Sequence, residues 1–233
     1  MSYIRLKKVN KYYRSGENRL HAIKDADLCI KKGEMVAIMG KSGCGKSTLL
    51  NVLGGLDQLD QGEYFLEDCD VGKLKGEKLA GFRRENIGFI VQHFALIDDF
   101  TVFNNIALPL RYRGMSKNEI KNQVEKLLVE FDISEKRNAY PTQLSGGQCQ
   151  RVAIARAVVA DSNIILADEP TGALDETTGA SILDILKRLN SEGKTVIVVT
   201  HDHAVASVCN RVINMSDGRI MDGAIEDCND SAS

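Results

Sequence analysis

The chain has 233 residues, 43% of them hydrophobic and 27% charged, which is the balance of an ordinary globular protein with one large domain, or one domain and a small subdomain. Its formal net charge of -2 argues against a general nucleic-acid binder, which carries a basic excess or stripe. No stretch approaches ~18 consecutive apolar residues, so no segment spans a membrane by itself, and the polar, alternating N-terminus is not a secretory signal.

Apolar residues recur at every second position at Ile4 and Leu6, and again at Ala26, Leu28 and Ile30, which predicts strands. Met35–Met39 is a continuous apolar run that fits a buried strand and ends at Gly40. A helix is expected from Ser47 to Leu56, with strands at Tyr64–Leu66 and Ile87–Val91. Ser116-Lys117-Asn118-Glu119 is a capping box, and Ile120, Val124, Leu127, Leu128 and Phe131 after it share one helical face. Gly146–Ala160 is a further helix, and Asn163–Ala167 a buried strand. Thr178–Asn190 forms a helix with Ile182, Ile185, Leu186 and Leu189 inward and Gly193 as its C-terminal cap. Thr195–Thr200 is another buried strand, and Asp217-Gly218 turns a hairpin between Val212–Met215 and Arg219–Met221.

Buried strands alternating with helices indicate an α/β fold with a mainly parallel sheet. An N-terminal antiparallel β subdomain stands beside it, and residues from about 93 to 160 make a mostly helical insert. One domain over 1–223 is expected, with 224–233 an acidic, flexible tail. The six cysteines (Cys29, Cys44, Cys69, Cys149, Cys209, Cys228) are widely spaced without a C-x-x-C pair, so they are expected to be free thiols rather than a zinc site.

Gly40-Lys41-Ser42-Gly43-Cys44-Gly45-Lys46-Ser47 fits the phosphate-loop pattern G-x-x-x-x-G-K-[ST], with Thr48 next to it. Glycines let backbone N–H groups turn inward around phosphate oxygens, and the helix that follows adds the positive end of its dipole. Lys46 then reaches the β- and γ-phosphates of ATP, and the Ser47 hydroxyl ligates Mg²⁺. Ile164–Asp168 is an apolar strand ending in a carboxylate, where a second Mg²⁺-organising group belongs, and Glu169 after it can orient the attacking water. Leu144-Ser145-Gly146-Gly147-Gln148 opens a second helix with two glycines, a further anion-binding surface.

This pentapeptide resembles the signature of the ATP-binding cassette (ABC) ATPases, a family with a phosphate-loop NTPase core, and the resemblance runs from about residue 3 to 221. It implies that Ser145, Gly146, Gly147 and Gln148 cover the γ-phosphate of an ATP held by another subunit. It further implies that Tyr13 stacks on adenine and Gln92 senses Mg²⁺ and the attacking water. By the same resemblance Asp168 would organise the metal, Glu169 would be the catalytic base, Ala173-Leu174-Asp175 would cross a dimer interface, and His201 would contact the γ-phosphate. Tyr12 is adjacent to Tyr13 and either ring could simply pack a strand. His93 and His203 have no assigned task, His21 is read as surface, Cys44 as contributing its backbone alone, and Cys149 as helix surface.

Leu49–Asp57, Gln148–Ala157 and Gly172-Ala173-Leu174-Asp175 look like the macrolide-exporter and lipoprotein-release (MacB/LolD-like) subfamily. Gly172 and His93 differ from residues common in the wider family. The resemblance implies a homodimeric ATPase with two ATP molecules sandwiched between subunits. Such an ATPase is cytoplasmic, lies against the inner face of the membrane, and drives a separate integral membrane permease in export, extraction or force transmission. Phe94, Leu96 and Phe103 are candidates to line the groove that receives the permease, or they pack the insert. The alternative is an ATPase of a non-transport complex, FtsE-like or associated with DNA or translation.

Overall fold

The computed structural model describes residues 2–15 and 18–222, so the tail expected after Gly223 lies outside the described residues. β1 (Ile4–Ser15) and β2 (Asn18–Ile30) form a long antiparallel pair, and β3 (Met35–Met39) is a buried strand. α1 (Lys46–Leu53) follows, then β4 (Gln61–Leu66), β5 (Cys69–Asp70), α2 (Gly76–Asn86) and β6 (Ile87–Ile90). Next come α3 (Val102–Tyr112), α4 (Lys117–Glu130), α5 (Gly146–Val158) and β7 (Ile164–Asp168). The order closes with α6 (Glu176–Ser191), β8 (Thr195–Thr200), α7 (His203–Ser207), β9 (Arg211–Ser216) and β10 (Arg219–Asp222).

Two sheets result, a four-stranded antiparallel one ordered β2-β1-β4-β5 and a six-stranded one ordered β10-β9-β3-β8-β7-β6. The larger sheet is parallel except for β10, which the Asp217-Gly218 turn folds back onto β9. That turn has φ 47° and 81°, the positive values a tight hairpin needs. Its strands alternate between two cores. Ile164, Leu166, Ile197 and Val199 point to the side covered by α1 and the antiparallel sheet. Ile165, Ala167, Val196 and Val198 point to the side covered by α3, α4, α5 and α6. Burial on both faces is why these strands read as unbroken apolar runs.

Helix boundaries follow local chemistry. The Ser116 hydroxyl accepts from the Glu119 N–H (3.4 Å), and the Glu119 carboxylate accepts from the Ser116 N–H (2.9 Å). α1 ends at Leu53 rather than Leu56, because Gly55 adopts φ 64° and the Leu56 N–H bonds back to the Asn51 carbonyl at 2.8 Å. α6 ends the same way, with Gly193 at φ 93° and the Lys194 N–H on the Leu189 carbonyl. Along α6, Ile182, Leu186 and Leu189 are buried while Ile185 is half-buried. α2 has no counterpart in the sequence reading. It is highly charged and buries only Leu79 and Phe82.

Cys44, Cys69, Cys149 and Cys209 are free thiols, as expected, but Cys29 is disulfide-bonded. Wide spacing in sequence says nothing about which sulfurs the fold brings together. Cys149 is also not on the helix surface. It is buried under the Pro141–Gln143 turn, and its thiol donates to the Pro141 carbonyl at 3.7 Å.

Candidate active site

In the six-stranded sheet β8 lies between β3 and β7, so the residues that follow the carboxyl ends of all three strands converge. A cleft of about 740 Å³ opens there, lined by the whole of Gly40–Thr48 together with Tyr13, Gln92, Asp168, Glu169 and His201. The expected phosphate loop, aromatic residue, glutamine, carboxylates and histidine therefore share one cavity.

The loop between β3 and α1 is a tight backbone cradle. Gly45 is the N-cap of α1 at φ 104° and offers no side chain to its first turn, leaving the N–H groups there for a ligand. A Cβ on Gly45 would lie 2.5 Å from the Ala22 carbonyl oxygen. The buried Lys46 ammonium donates to the Gly40 (2.8 Å) and Lys41 (3.0 Å) carbonyls, which hold it across the loop mouth. The Gly218 N–H donates to the Cys44 carbonyl at 2.9 Å, so the β9–β10 turn braces the loop from behind.

Asp168 ends β7 beside the Ser47 hydroxyl, close enough for that hydroxyl to favour its charged form. Burial pushes the Asp168 carboxyl above its ordinary value and the neighbouring Glu169 charge adds to this, while Ser47 and Lys46 oppose it. Hydroxyl, carboxylate and the Gln92 amide form an all-oxygen donor set that suits a hard divalent cation. Glu169 has φ 47°, with its backbone N–H on the Val199 carbonyl at 2.9 Å. Its Oε1 accepts from His201 Nδ1 at 2.7 Å, and its Oε2 from the Thr200 hydroxyl at 3.3 Å. The Nδ1–H tautomer leaves His201 Nε2 free to face a ligand. Glu169 is 15% exposed and His201 72%, so the carboxylate is sheltered and the ring stands at the mouth.

Tyr13, not Tyr12, lines the cleft, and its hydroxyl donates to Asp57. Burial raises its phenol, and the Asp57 bond raises it further. Tyr12 instead stacks on His21 with ring centroids 4.1 Å apart. The surface reading of His21 is therefore corrected: the ring is half-buried, lines the cleft and bonds Asn10 Oδ1 at 2.8 Å. A lone histidine beside a polar loop carries no sequence signal for this, because the β1–β2 pairing brings it there.

Five expected residues lie elsewhere. Ser145, Gly146, Gly147 and Gln148 do not line the cleft. They begin α5, where the Ser145 hydroxyl accepts from the Gln148 N–H at 3.3 Å and the Gln148 amide oxygen accepts from the Ser145 N–H at 3.0 Å. Asp175 also stands apart. It caps α6, accepting from the Thr178 N–H (3.0 Å) and hydroxyl (2.7 Å), which hold its carboxyl below the usual range. Phe94 is half-buried near Gly146, while Leu96 and Phe103 pack into the second core. None of the three lines the open groove of about 460 Å³ nearby. That groove is lined by Arg83 and Arg84 of α2, Leu108, Pro109 and Tyr112 of α3, and Arg156 of α5, among others. His93 and His203 are exposed.

Interior polar residues of α5 went unnoticed in the sequence. Gln150 is fully buried and its amide donates to the Pro170 carbonyl at 2.6 Å, just past Glu169. Arg156 donates to the Ala95 (2.6 Å) and Phe94 (2.9 Å) carbonyls just past Gln92.

A family model described as ABC transporter matches residues 23–172. The macrolide export ATP-binding/permease protein MacB of Neisseria gonorrhoeae is 47% identical over 221 residues, 95% of this chain and 34% of that protein. MacB 1/2 of Paracoccus denitrificans is 47% identical over 218 residues, 94% of this chain and 33% of that protein. The chain thus spans about a third of the length of these relatives. A dimeric post-hydrolysis structure of the ATP-binding cassette MJ0796, bound to ADP and Pi, superposes with a TM-score of 0.88 at 44% identity. It covers 94% of this chain and 97% of that one. With the phosphate loop, the two carboxylates and the histidine in one cleft, the chain belongs to the ABC transporter family and is an ABC ATPase cassette of its MacB/LolD-like branch.

Proposed function

We propose that the chain works as a head-to-tail homodimer, each ATP lying between Gly40–Ser47 of one subunit and Ser145–Gln148 of the other. The observation that carries this reading is the separation of the two segments. The phosphate loop lines the cleft and the signature does not, although the signature is exposed at Ser145 and Gly146 and begins a helix. A helix start that finds no phosphate in its own chain is available to one held by a second copy. The dimeric state described for the MJ0796 cassette supports the same arrangement.

In this reading Tyr13 stacks on adenine, and the backbone of Gly40–Thr48 with Lys46 holds the triphosphate. Lys46 leaves the Gly40 and Lys41 carbonyls for phosphate oxygens. Glu169, aligned by Thr200 and His201, takes the proton of the attacking water, and His201 Nε2 faces the γ-phosphate. Ser47, Asp168 and Gln92 are the residues that would hold Mg²⁺, which when bound neutralises charge on the β- and γ-phosphates. Asp175 stands at the subunit boundary as the cap of α6. Because ATP contacts both subunits through its γ-phosphate and ADP does not, ATP alone shifts the pair toward closure.

Among the described residues no helix is long and apolar enough to cross a membrane. The chain acts on a membrane permease, held at the cytoplasmic face through the α2–α3–α5 groove, where 71% exposed Tyr112 stands among apolar residues and three arginines. The likeness to MacB, described as a macrolide export ATP-binding/permease protein, supports export by that permease, with extraction or force transmission as the other modes of the same coupling.

The test is Glu169→Gln. With ATP it should form a stable dimer by light scattering, with hydrolysis reduced at least about 100-fold. A variant that stays monomeric at saturating ATP, or that turns over like wild type, contradicts the assignment.

A further inference from the structure

Gln92 lies between two fixed points. Upstream, β6 is locked into the sheet, with Ile90 opposite Ala167. Downstream, Phe94 and Ala95 take φ 61° and 46°, left-handed conformations that residues with a Cβ avoid. Local bonds alone hold this turn weakly: the Phe94 N–H reaches the Val91 carbonyl at 3.0 Å, and the Ala95 N–H the His93 carbonyl. The remaining restraint comes from α5. The two terminal nitrogens of the Arg156 guanidinium donate to the Ala95 and Phe94 carbonyls, one nitrogen to each. The planar fork presents two donors at a fixed spacing to these two adjacent acceptors, whereas an ammonium is a compact charge on a flexible stem with no such fixed pair. The other end of α5 meets the same turn, since a Cβ on Gly146 would lie 3.8 Å from the Phe94 ring. On its far side Gln92 Nε2 stands 3.1 Å from where a Cβ on Gly172 would be, which leaves the amide closely seated.

We propose that Arg156 is a positioning residue for hydrolysis: by gripping the Phe94 and Ala95 carbonyls it sets where the Gln92 amide stands over the cleft. It also ties that position to the helix whose first turn carries Ser145–Gln148. Any rotation of α5 as a second subunit's phosphate engages its N-terminus is then felt at Gln92 in its own cleft, through one rigid helix and one guanidinium. The inference rests on the reading that Gln92 acts in hydrolysis.

The experiment compares Arg156→Met, Arg156→Lys, Gln92→Ala and the Gln92→Ala/Arg156→Met double variant in the full chain. ATPase kcat at saturating ATP, ATP affinity and thermal unfolding are measured for each. R156M should lower kcat about tenfold or more, while ATP affinity stays within about twofold because the phosphate loop is untouched. R156K should restore only a minor part of the rate, since it keeps the charge and loses the fork. The double variant should be no slower than Q92A, because both changes act through one amide. Unchanged kcat in R156M, or losses that multiply in the double variant, overturns the positioning role. Normal kcat in Q92A overturns the reading of Gln92 itself, and this proposal with it. If R156M does not fold, R156K carries the same comparison with Q92A.

Discussion

α1 begins at Gly45 with no side chain closing its first turn, whereas α5 begins at Ser145 with reciprocal hydrogen bonds between Ser145 and Gln148. Both starts are glycine-rich, and both follow the logic of an anion site. They differ in what surrounds them. The α1 start is wrapped by its own chain: the Ala22 carbonyl and the Met215 side chain press against Gly45, and the cleft walls come from β7, β8 and the β9–β10 turn. The α5 start is exposed, closed on itself by its cap, and takes no part in lining the cleft. A glycine-rich helix start is thus a complete half-site in one place and an unpartnered surface in the other. The motif reports the chemistry of the ligand, and the surroundings report which chain holds it.

Gly45→Ala should have the largest effect on this comparison. The new Cβ meets a carbonyl oxygen at 2.5 Å at φ 104°, so the loop must open. Stability should fall by about 2–3 kcal/mol, and ATP affinity of the isolated chain, by equilibrium titration, at least about 100-fold. Ser145→Ala should be milder. Loss of the cap costs about 1 kcal/mol in denaturant unfolding, ATP affinity of the isolated chain stays within about twofold, and the ATP-bound dimer of E169Q weakens. If S145A instead weakens ATP binding by the isolated chain, the two glycine segments serve one cleft and the contrast between them collapses.

Ser116→Ala sharpens the comparison from the other side, as a capping box with no ligand to serve. It should cost about 1 kcal/mol with kcat unchanged. The Ser116 hydroxyl and backbone N–H hold the Glu119 carboxyl below its ordinary value. A depressed folded-state pKa gives stability that is fully present above the unfolded value and is lost as pH falls through the folded one. The gap between wild type and S116A should therefore narrow in acid, and a gap that widens there contradicts the carboxylate's part in the box.

Much of this was legible in the residues themselves. The buried strands, the Ser116 box, the Asp217-Gly218 hairpin and the Gly193 cap depend on neighbours in sequence, and each appears as expected. α2 was missed because its amphipathic signal is two buried residues in a charged segment. The end of α1 was misread because Leu56 continues the apolar pattern, while the Gly54-Gly55 pair that stops it acts through backbone conformation. Cys149 was placed on the surface because nothing local announces the Pro141–Gln143 turn that covers it.

The amino-acid sequence alone determined the chemistry: a phosphate loop, a hydroxyl, two carboxylates and a histidine, each at the end of an apolar strand or the start of a helix. Periodicity and turn residues are properties of a few consecutive side chains, so they survive without a fold. Tertiary structure decided which of those groups meet. It chose Tyr13 over Tyr12, brought His21 into the cleft and excluded Ser145–Gln148 from it. It also set Arg156 against the turn beyond Gln92, 61 and 62 positions away in sequence. Those outcomes depend on strand order and on the direction of one helix, which act between segments far apart in the chain.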